Sequence, residues 1–165
     1  MILTGSKIES EFINSNIDLI PFNKEQCNPN SYNYLLGETL KEYIGKDRNN
    51  KNLFREIVIP EEGFVLLPGK MCLGVTNEVI GSNRYAMSLI GRSSLGRYGL
   101  FLQISADLGH TTSSHRWTLE LYACLPIRVY PRMPIGQVSF WNNKGDISCL
   151  GKKFALYNKP MENHI

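Results

Sequence analysis

The chain has no apolar run near the roughly 20 residues that a membrane-spanning helix needs. Its first residues, MILTGSKIESEF, lack a basic start followed by an apolar stretch, so no secretory leader is expected. Charge is close to balanced: 18 Lys and Arg against 15 Asp and Glu give a net +3, too little to argue for a nucleic-acid partner. The four cysteines, Cys27, Cys72, Cys124 and Cys149, lie far apart and form no CxxC pair. Free thiols and a cytoplasmic location are the expectation. His110, His115 and His164 show no metal spacing with them, so no zinc site is expected. Internal repeats, low-complexity tracts and linkers are also missing. What remains is a chain of 165 residues, expected to form a single domain over residues 1–165 without membrane or nucleic-acid partners. A chain of this size buries about two thirds of its unfolded surface and needs no disulfide staples.

The start, TGSKIESEFINSN, reads as a short amphipathic helix. Ile8, Phe12 and Ile13 share its apolar face, and Thr4 or Ser6 caps it. CNPNSYNYLLG offers turn residues and then a short strand ending at Gly37. GKDRNNKN, from Gly45 to Asn52, reads as a surface loop. Beyond it the chain is β in character: EIVIP, GFVLLPG, MCLGVTNEVI, YAMSLIG, GLFLQISA, WTLELYACL, IRVYP and GQVSFW are short apolar or alternating runs punctuated by Gly and Pro. That spacing predicts a mainly β fold, a distorted barrel or jelly-roll-like domain with a short N-terminal helix, rather than βαβ units.

Two stretches carry chemistry. GRSSLGR, Gly91 to Arg97, places two guanidinium forks and two hydroxyls beside glycines. Glycine lets backbone N–H groups approach an anion, and arginine binds phosphate in bidentate fashion. The stretch is either a polar turn or a phosphate cradle. It is not a Walker loop, because no GK[ST] follows a GxxxxG. In RWTLELYACLPIRVYP, Glu120 sits between Leu119 and Leu121 in a run that reads as a strand. If both leucines point one way, Glu120 points the other. It is then on a solvated face or in a pocket, and a pocketed carboxylate suits a general base.

Taken together, GRSSLGRYGLFLQISA, TLELYA and PIRVYPRMPIGQVSF resemble the dCTP deaminase branch of the trimeric dUTPase superfamily. IDLIPFNKEQCNPNSYNYLLG and FVLLPGKMCLGVTNEVI are similar to the segments that precede these motifs. The resemblance implies a homotrimer of dUTPase-type fold. It implies hydrolytic deamination of dCTP, or a close cytosine nucleotide, to the uracil nucleotide plus ammonia. Arg92, Ser93 and Ser94 would bind the triphosphate, and Ser93 would also help hold the water. Arg97 would lie near the reacting end of the base, and Glu120 would shuttle protons between water and leaving ammonia. Backbone groups from Ile104 to Ala106 would read the base edge. Magnesium would enter on the triphosphate rather than through a protein cage. The zinc deaminase signature, HxE with PCxxC, has no counterpart here.

The resemblance is broken at three places. Relatives carry an ID-x-G-[FYW]-x-G hairpin where this chain has LGHTTSSHRW, so His110 takes the aspartate position and Ser113 the aromatic one. His110 is either a loop histidine without a task or a changed substrate contact; Asp107 lies nearby. The missing aspartate leads to the expectation that the phosphates stay intact. The SYD-type strand reads SYN, with Asn33 at the acidic position, a change expected to concern structure. In the tail, a possible lid over residues 150–165, Lys153 is kept for a phosphate contact and Tyr157 stands at a glutamine position, where it would stack on the base. A dUTPase-type pyrophosphatase and a non-catalytic nucleotide-binding regulatory trimer stay open as alternatives.

Overall fold

The structure is a computed structural model and describes residues 1–148 and 158–161. In chain order its elements are α1 (Gly5–Ile13), β1 (Ile17–Ile20), β2 (Tyr32–Leu35), β3 (Thr39–Lys46), β4 (Asn52–Val58), β5 (Phe64–Leu66), β6 (Met71–Val75), β7 (Val79–Ser82) and β8 (Tyr85–Gly91). After these come α2 (Ser93–Arg97), β9 (Leu100–Leu102), β10 (Leu108–Gly109), β11 (Ser114–His115), β12 (Thr118–Ala123), β13 (Ile127–Val129) and β14 (Pro134–Asn142). The strands form antiparallel sheets in the orders β1-β7-β11, β10-β8-β14-β2, β4-β3-β6-β12-β9 and β13-β5. The mainly β fold expected from the sequence is what forms.

Helix α1 starts where Thr4 accepts a hydrogen bond from the Lys7 N–H at 3.4 Å. Ile8 is fully buried, and Phe12 stacks on Phe22 with ring centroids 4.3 Å apart. Ile13 does not share this face: it is 71% exposed, because a residue five places after Ile8 lies about 140° around the helix. Glu11 points inward instead. Its carboxylate accepts from Lys7 Nζ at 2.6 Å, Tyr85 OH at 2.9 Å and Asn16 Nδ2 at 2.9 Å. The Lys7 bond, aided by these donors, outweighs burial and holds its carboxyl below the usual carboxylate range.

Two segments differ from the sequence reading. GKDRNNKN is the tip of a hairpin rather than a loop throughout: Gly45 and Lys46 close β3, and Asn52 opens β4. Asp47 Oδ1 makes the turn by accepting from the N–H groups of Asn49 and Lys51, both at 2.8 Å. MCLGVTNEVI is two strands, β6 and β7, because Thr76 and Glu78 are buried polar residues that need partners off the ladder. Thr76 Oγ1 donates to the Glu78 carbonyl at 2.7 Å, and the Glu78 carboxylate accepts from Leu35 N–H at 2.9 Å and Gln26 Nε2 at 3.1 Å. Asn33 takes part in the adjoining network, its Oδ1 accepting from Asn28 Nδ2 at 2.9 Å.

The end of β8 is placed by one tyrosine. Tyr34 is fully buried, and its hydroxyl donates to the Ile90 carbonyl at 3.0 Å. Gly91 faces Gly136 across the ladder, at an irregularity in β14. A Cβ on Gly136 would lie 2.1 Å from the Tyr34 ring and hydroxyl, so only glycine lets that ring close over the strand that leads into Arg92. Gly136→Ala is therefore expected to cost about 1–3 kcal/mol by overpacking. Gly96→Ala, whose Cβ would meet nothing nearer than 3.9 Å, is the near-neutral control. Urea denaturation of both variants checks this.

Candidate active site

Strand β12 alternates as the sequence suggested. Leu119 and Leu121 are buried, and Glu120 emerges on the opposite face, half-buried. The strand is paired on both sides, with Glu120 opposite Leu73 of β6 and Leu121 opposite Leu102 of β9. Beyond Leu102 the chain leaves the sheet at Gln103, which has φ +51. The Gln103 side chain turns back, and its Oε1 accepts the Glu120 N–H at 2.7 Å. Two residues further on, Ser105 Oγ donates to Glu120 Oε2 at 3.2 Å. Among the described residues no side chain bonds the other carboxylate oxygen.

The arginine and serine stretch is not a flexible loop. Arg92 N-caps α2, the Gly96 N–H donates to the Arg92 carbonyl at 3.0 Å, and Gly99 follows with φ +86. Leu95 packs against the core and so pins this turn. Ser93, Ser94 and Arg97 are exposed on it, while Arg92 is half-buried with Nη1 3.4 Å from the Pro134 carbonyl. The hydroxyls, and the first-turn N–H groups that a helix leaves without internal partners, are thus presented from a fixed piece of backbone.

The segment between the two groups ties them together. Asp107 accepts from the Leu89 N–H at 2.8 Å through its carbonyl and from Ser88 Oγ at 2.5 Å through its carboxylate. One end of the 103–107 segment is therefore fastened to β12, beside Glu120, and the other to β8, which leads into Arg92. Ile104 and Ala106 are exposed between these anchors. No hydrogen bond or ion pair joins Glu120 directly to α2 among the described residues. Gln103 and Ser105 lie within the GRSSLGRYGLFLQISA motif, and the 104–106 backbone was expected at the base, but their side chains were not singled out; only the bend after β9 brings them to Glu120. Lys153 and Tyr157 lie outside the described residues.

His110 is exposed at the start of the turn between β10 and β11, which pair with β8 and β7 rather than with each other, and its carbonyl accepts the Ser113 N–H at 3.2 Å. Ser113, at the aromatic position, is turned into the fold, because Thr112 takes φ +73 and Thr112 and Ser113 exchange backbone bonds with Ser82. Ser114 Oγ donates to Asp18 Oδ2 at 2.6 Å, and His115 stacks on Trp117 at 4.2 Å. Among the described residues no three His, Cys, Asp or Glu side chains are grouped so as to hold a metal ion. A cavity of about 350 Å³ lies elsewhere, lined by residues that include Glu42, Arg55 and Lys70 and none of the candidate site residues.

A dCTP deaminase-like family pattern matches residues 2–143, a span that holds both motifs and the segment between them. The chain belongs to the dCTP deaminase-like family. A family member from Clostridium botulinum (strain Alaska E43 / Type E3), a dCTP deaminase, dUMP-forming, is 42% identical over 160 residues, covering 96% of this chain and 88% of the relative. The dCTP deaminase, dUMP-forming, of Clostridium beijerinckii is also 42% identical, over 164 residues, covering 98% of this chain and 94% of the relative. In fold the chain is similar to the crystal structure of 2'-deoxycytidine 5'-triphosphate deaminase from Agrobacterium tumefaciens, with a TM-score of 0.71 and 20% identity over 86% of this chain. It spans about half, 48%, of that deaminase's length.

Burial holds the His115 imidazole below its usual pKa. Its neutral form is therefore favoured by folding, and the unfolded chain binds the proton first as pH falls. The protein should then lose stability as pH drops through the ordinary histidine value toward the lower folded one. Thermal melts at pH 7.5 and 5.5 are expected to show a larger drop for the native protein than for His115→Phe, which cannot titrate.

Proposed function

We propose that this protein is an enzyme that deaminates dCTP, with dUMP as the final nucleotide. The observation that carries this is Glu120: a half-buried residue between two buried leucines, its backbone N–H held by Gln103 and one carboxylate oxygen by Ser105, with no side-chain partner on the other oxygen among the described residues. It stands in a family whose members, 42% identical over nearly the whole chain, are dCTP deaminases that form dUMP. Adding water at C4 of cytosine requires a base that takes the water's proton and returns it to the ring or the leaving amine. Glu120 has the place and chemistry for both steps. Arg92, Ser93 and Ser94 hold the triphosphate, which enters as its magnesium complex, and Arg97 extends from the same turn toward the reacting end.

The working unit in this reading is a cytoplasmic homotrimer. Two features support the assembly. Among the described residues of one chain no hydrogen bond or ion pair joins α2 to Glu120, which leaves room for the phosphate group of one subunit to serve the carboxylate of another. Met71, Tyr122 and Phe101 also form a cross-strand row beside Glu120 on its sheet and stay 44–49% exposed, an apolar row that a second subunit would cover.

Reaching dUMP from dCTP also requires hydrolysis between the α and β phosphates, which releases pyrophosphate. A second reading, in which the product is dUTP with its phosphates retained, is favoured by the 108–115 segment. His110 stands where a carboxylate was expected, Ser113 is buried, and the nearby Asp107 is bonded to Ser88. Chromatography of dCTP incubated with the protein and magnesium separates the two. Ammonia with dUMP is expected; ammonia with accumulating dUTP selects the second reading. Nucleotide binding without turnover would point to a regulatory trimer instead. Glu120→Gln is expected to lower kcat by roughly two to four orders of magnitude while leaving nucleotide affinity nearly unchanged. Arg92→Ala should mainly raise KM, since a bidentate phosphate contact is lost. Full activity in Glu120→Gln would overturn the assignment. Light scattering is expected to give three chain masses.

A further inference from the structure

The strand that carries Glu120 has one edge that neighbouring backbone does not complete. Strand β9 supplies partners for Leu121, Tyr122 and Ala123 and then stops. The next edge groups along β12 are the Glu120 N–H and the Thr118 carbonyl. Residues i and i+2 of a strand turn their backbone groups to the same edge, so both face the place where β9 would continue. It does not continue, because Gln103 enters the left-handed region at φ +51, a conformation that a non-glycine residue adopts at some cost.

The Gln103 side chain occupies the gap. Its Oε1 accepts the Glu120 N–H at 2.7 Å, and its Nε2 lies 3.4 Å from the Thr118 carbonyl and 3.5 Å from the Ala106 carbonyl. A primary amide offers one acceptor and two donors, the same groups as a peptide unit with one N–H to spare. The orientation of the amide is fixed by its partners, since an N–H only donates and a carbonyl only accepts. The carboxamide therefore acts as one more rung of the β9–β12 ladder while the backbone bends away. The spare N–H reaches across the 104–107 bend, whose Ser105 hydroxyl meets the Glu120 carboxylate.

We infer that Gln103 is a positioning residue for Glu120. By standing in for the missing rung it holds the backbone of the glutamate and shapes the bend that aims Ser105 at its carboxylate. The inference rests on the deaminase reading for its catalytic consequence, but its structural part does not.

Two measurements on the full-length protein test it. The first is amide hydrogen exchange of the native protein. The Glu120 N–H should be protected as strongly as the ladder-bonded N–H groups of β12, although no backbone faces it. Exchange as fast as in the exposed 104–106 bend would overturn the proposal. The second is Gln103→Met, which keeps length and volume but removes every hydrogen bond. Its kcat for dCTP should fall about 10- to 100-fold, as for a reacting group displaced by an ångström or less, with KM within about threefold because Arg92 and Ser93 are untouched. Glu120 N–H exchange in the variant should quicken at least about tenfold. A folded Gln103→Met protein with kcat within about twofold of native would overturn the proposal, as would a rise in KM at unchanged kcat. If Gln103→Met does not fold, the exchange result on the native protein decides. If the native protein releases no ammonia from dCTP, the deaminase reading fails, and exchange still decides whether Gln103 holds Glu120.

Discussion

Strand β12 has partners along both edges, and this fixes the face on which each of its side chains emerges. Leu119 and Leu121 go to the core, and Glu120 has no choice but the other side. A one-residue slip in register would bury the carboxylate and expose both leucines, which the lost apolar burial and an uncompensated charge forbid. The position of the proposed base is thus a consequence of packing in the five-stranded sheet. The groups that refine it, Gln103 and Ser105, come from the point where the neighbouring strand gives out.

The phosphate side is built in the same manner from a different sheet. Strand β8 lies between β10 and β14 and ends at Gly91, opposite Gly136, where the buried Tyr34 closes over the glycine and holds the Ile90 carbonyl. Arg92 follows at once and begins a short helical turn, so its hydroxyl and guanidinium neighbours inherit the rigidity of the strand. Two sheets therefore each deliver one half of the proposed site. The 103–107 segment, anchored on both, is the mechanical link between them. Rigid elements that carry the reacting groups, joined by a short braced bend, are what orientation-dependent catalysis requires.

The segment from Leu108 to His115 crosses between two sheets, β10 pairing with β8 and β11 with β7. Its backbone is bonded to Ser82 at Thr112 and Ser113, while the Ser114 and Thr111 side chains are held by Asp18 and Asn143. His110 is presented outward and Ser113 inward. The side chain at position 110 is therefore free to meet solvent or a ligand, and the one at 113 is not.

Periodicity in the sequence determined the mainly β class, the N-terminal helix with a cap at Thr4 or Ser6, and the placement of Glu120 opposite its two leucines, because each depends on local alternation or on a cap a few residues away. The paired motifs Arg92–Arg97 and Glu120, at their fixed separation, were enough to point to the family. Tertiary structure decided what local pattern could not carry. Ile13 looked like a core residue until the helix phase turned it to solvent, and Glu11 took the inward place because Tyr85 and Asn16 supply partners from elsewhere in the chain. The run from Met71 to Ile80 divided into two strands because Glu78 found its donors on Leu35 and Gln26, more than 40 residues away in the chain. Gln103 and Ser105 became part of the site only when β9 stopped one residue short of Glu120. Apart from the phase of Ile13 and the Lys7 and Asn16 bonds of Glu11, these outcomes depend on hydrogen-bond partners distant in sequence. A polar group's burial is settled by the partners that folding brings to it, and no window of neighbouring residues contains them.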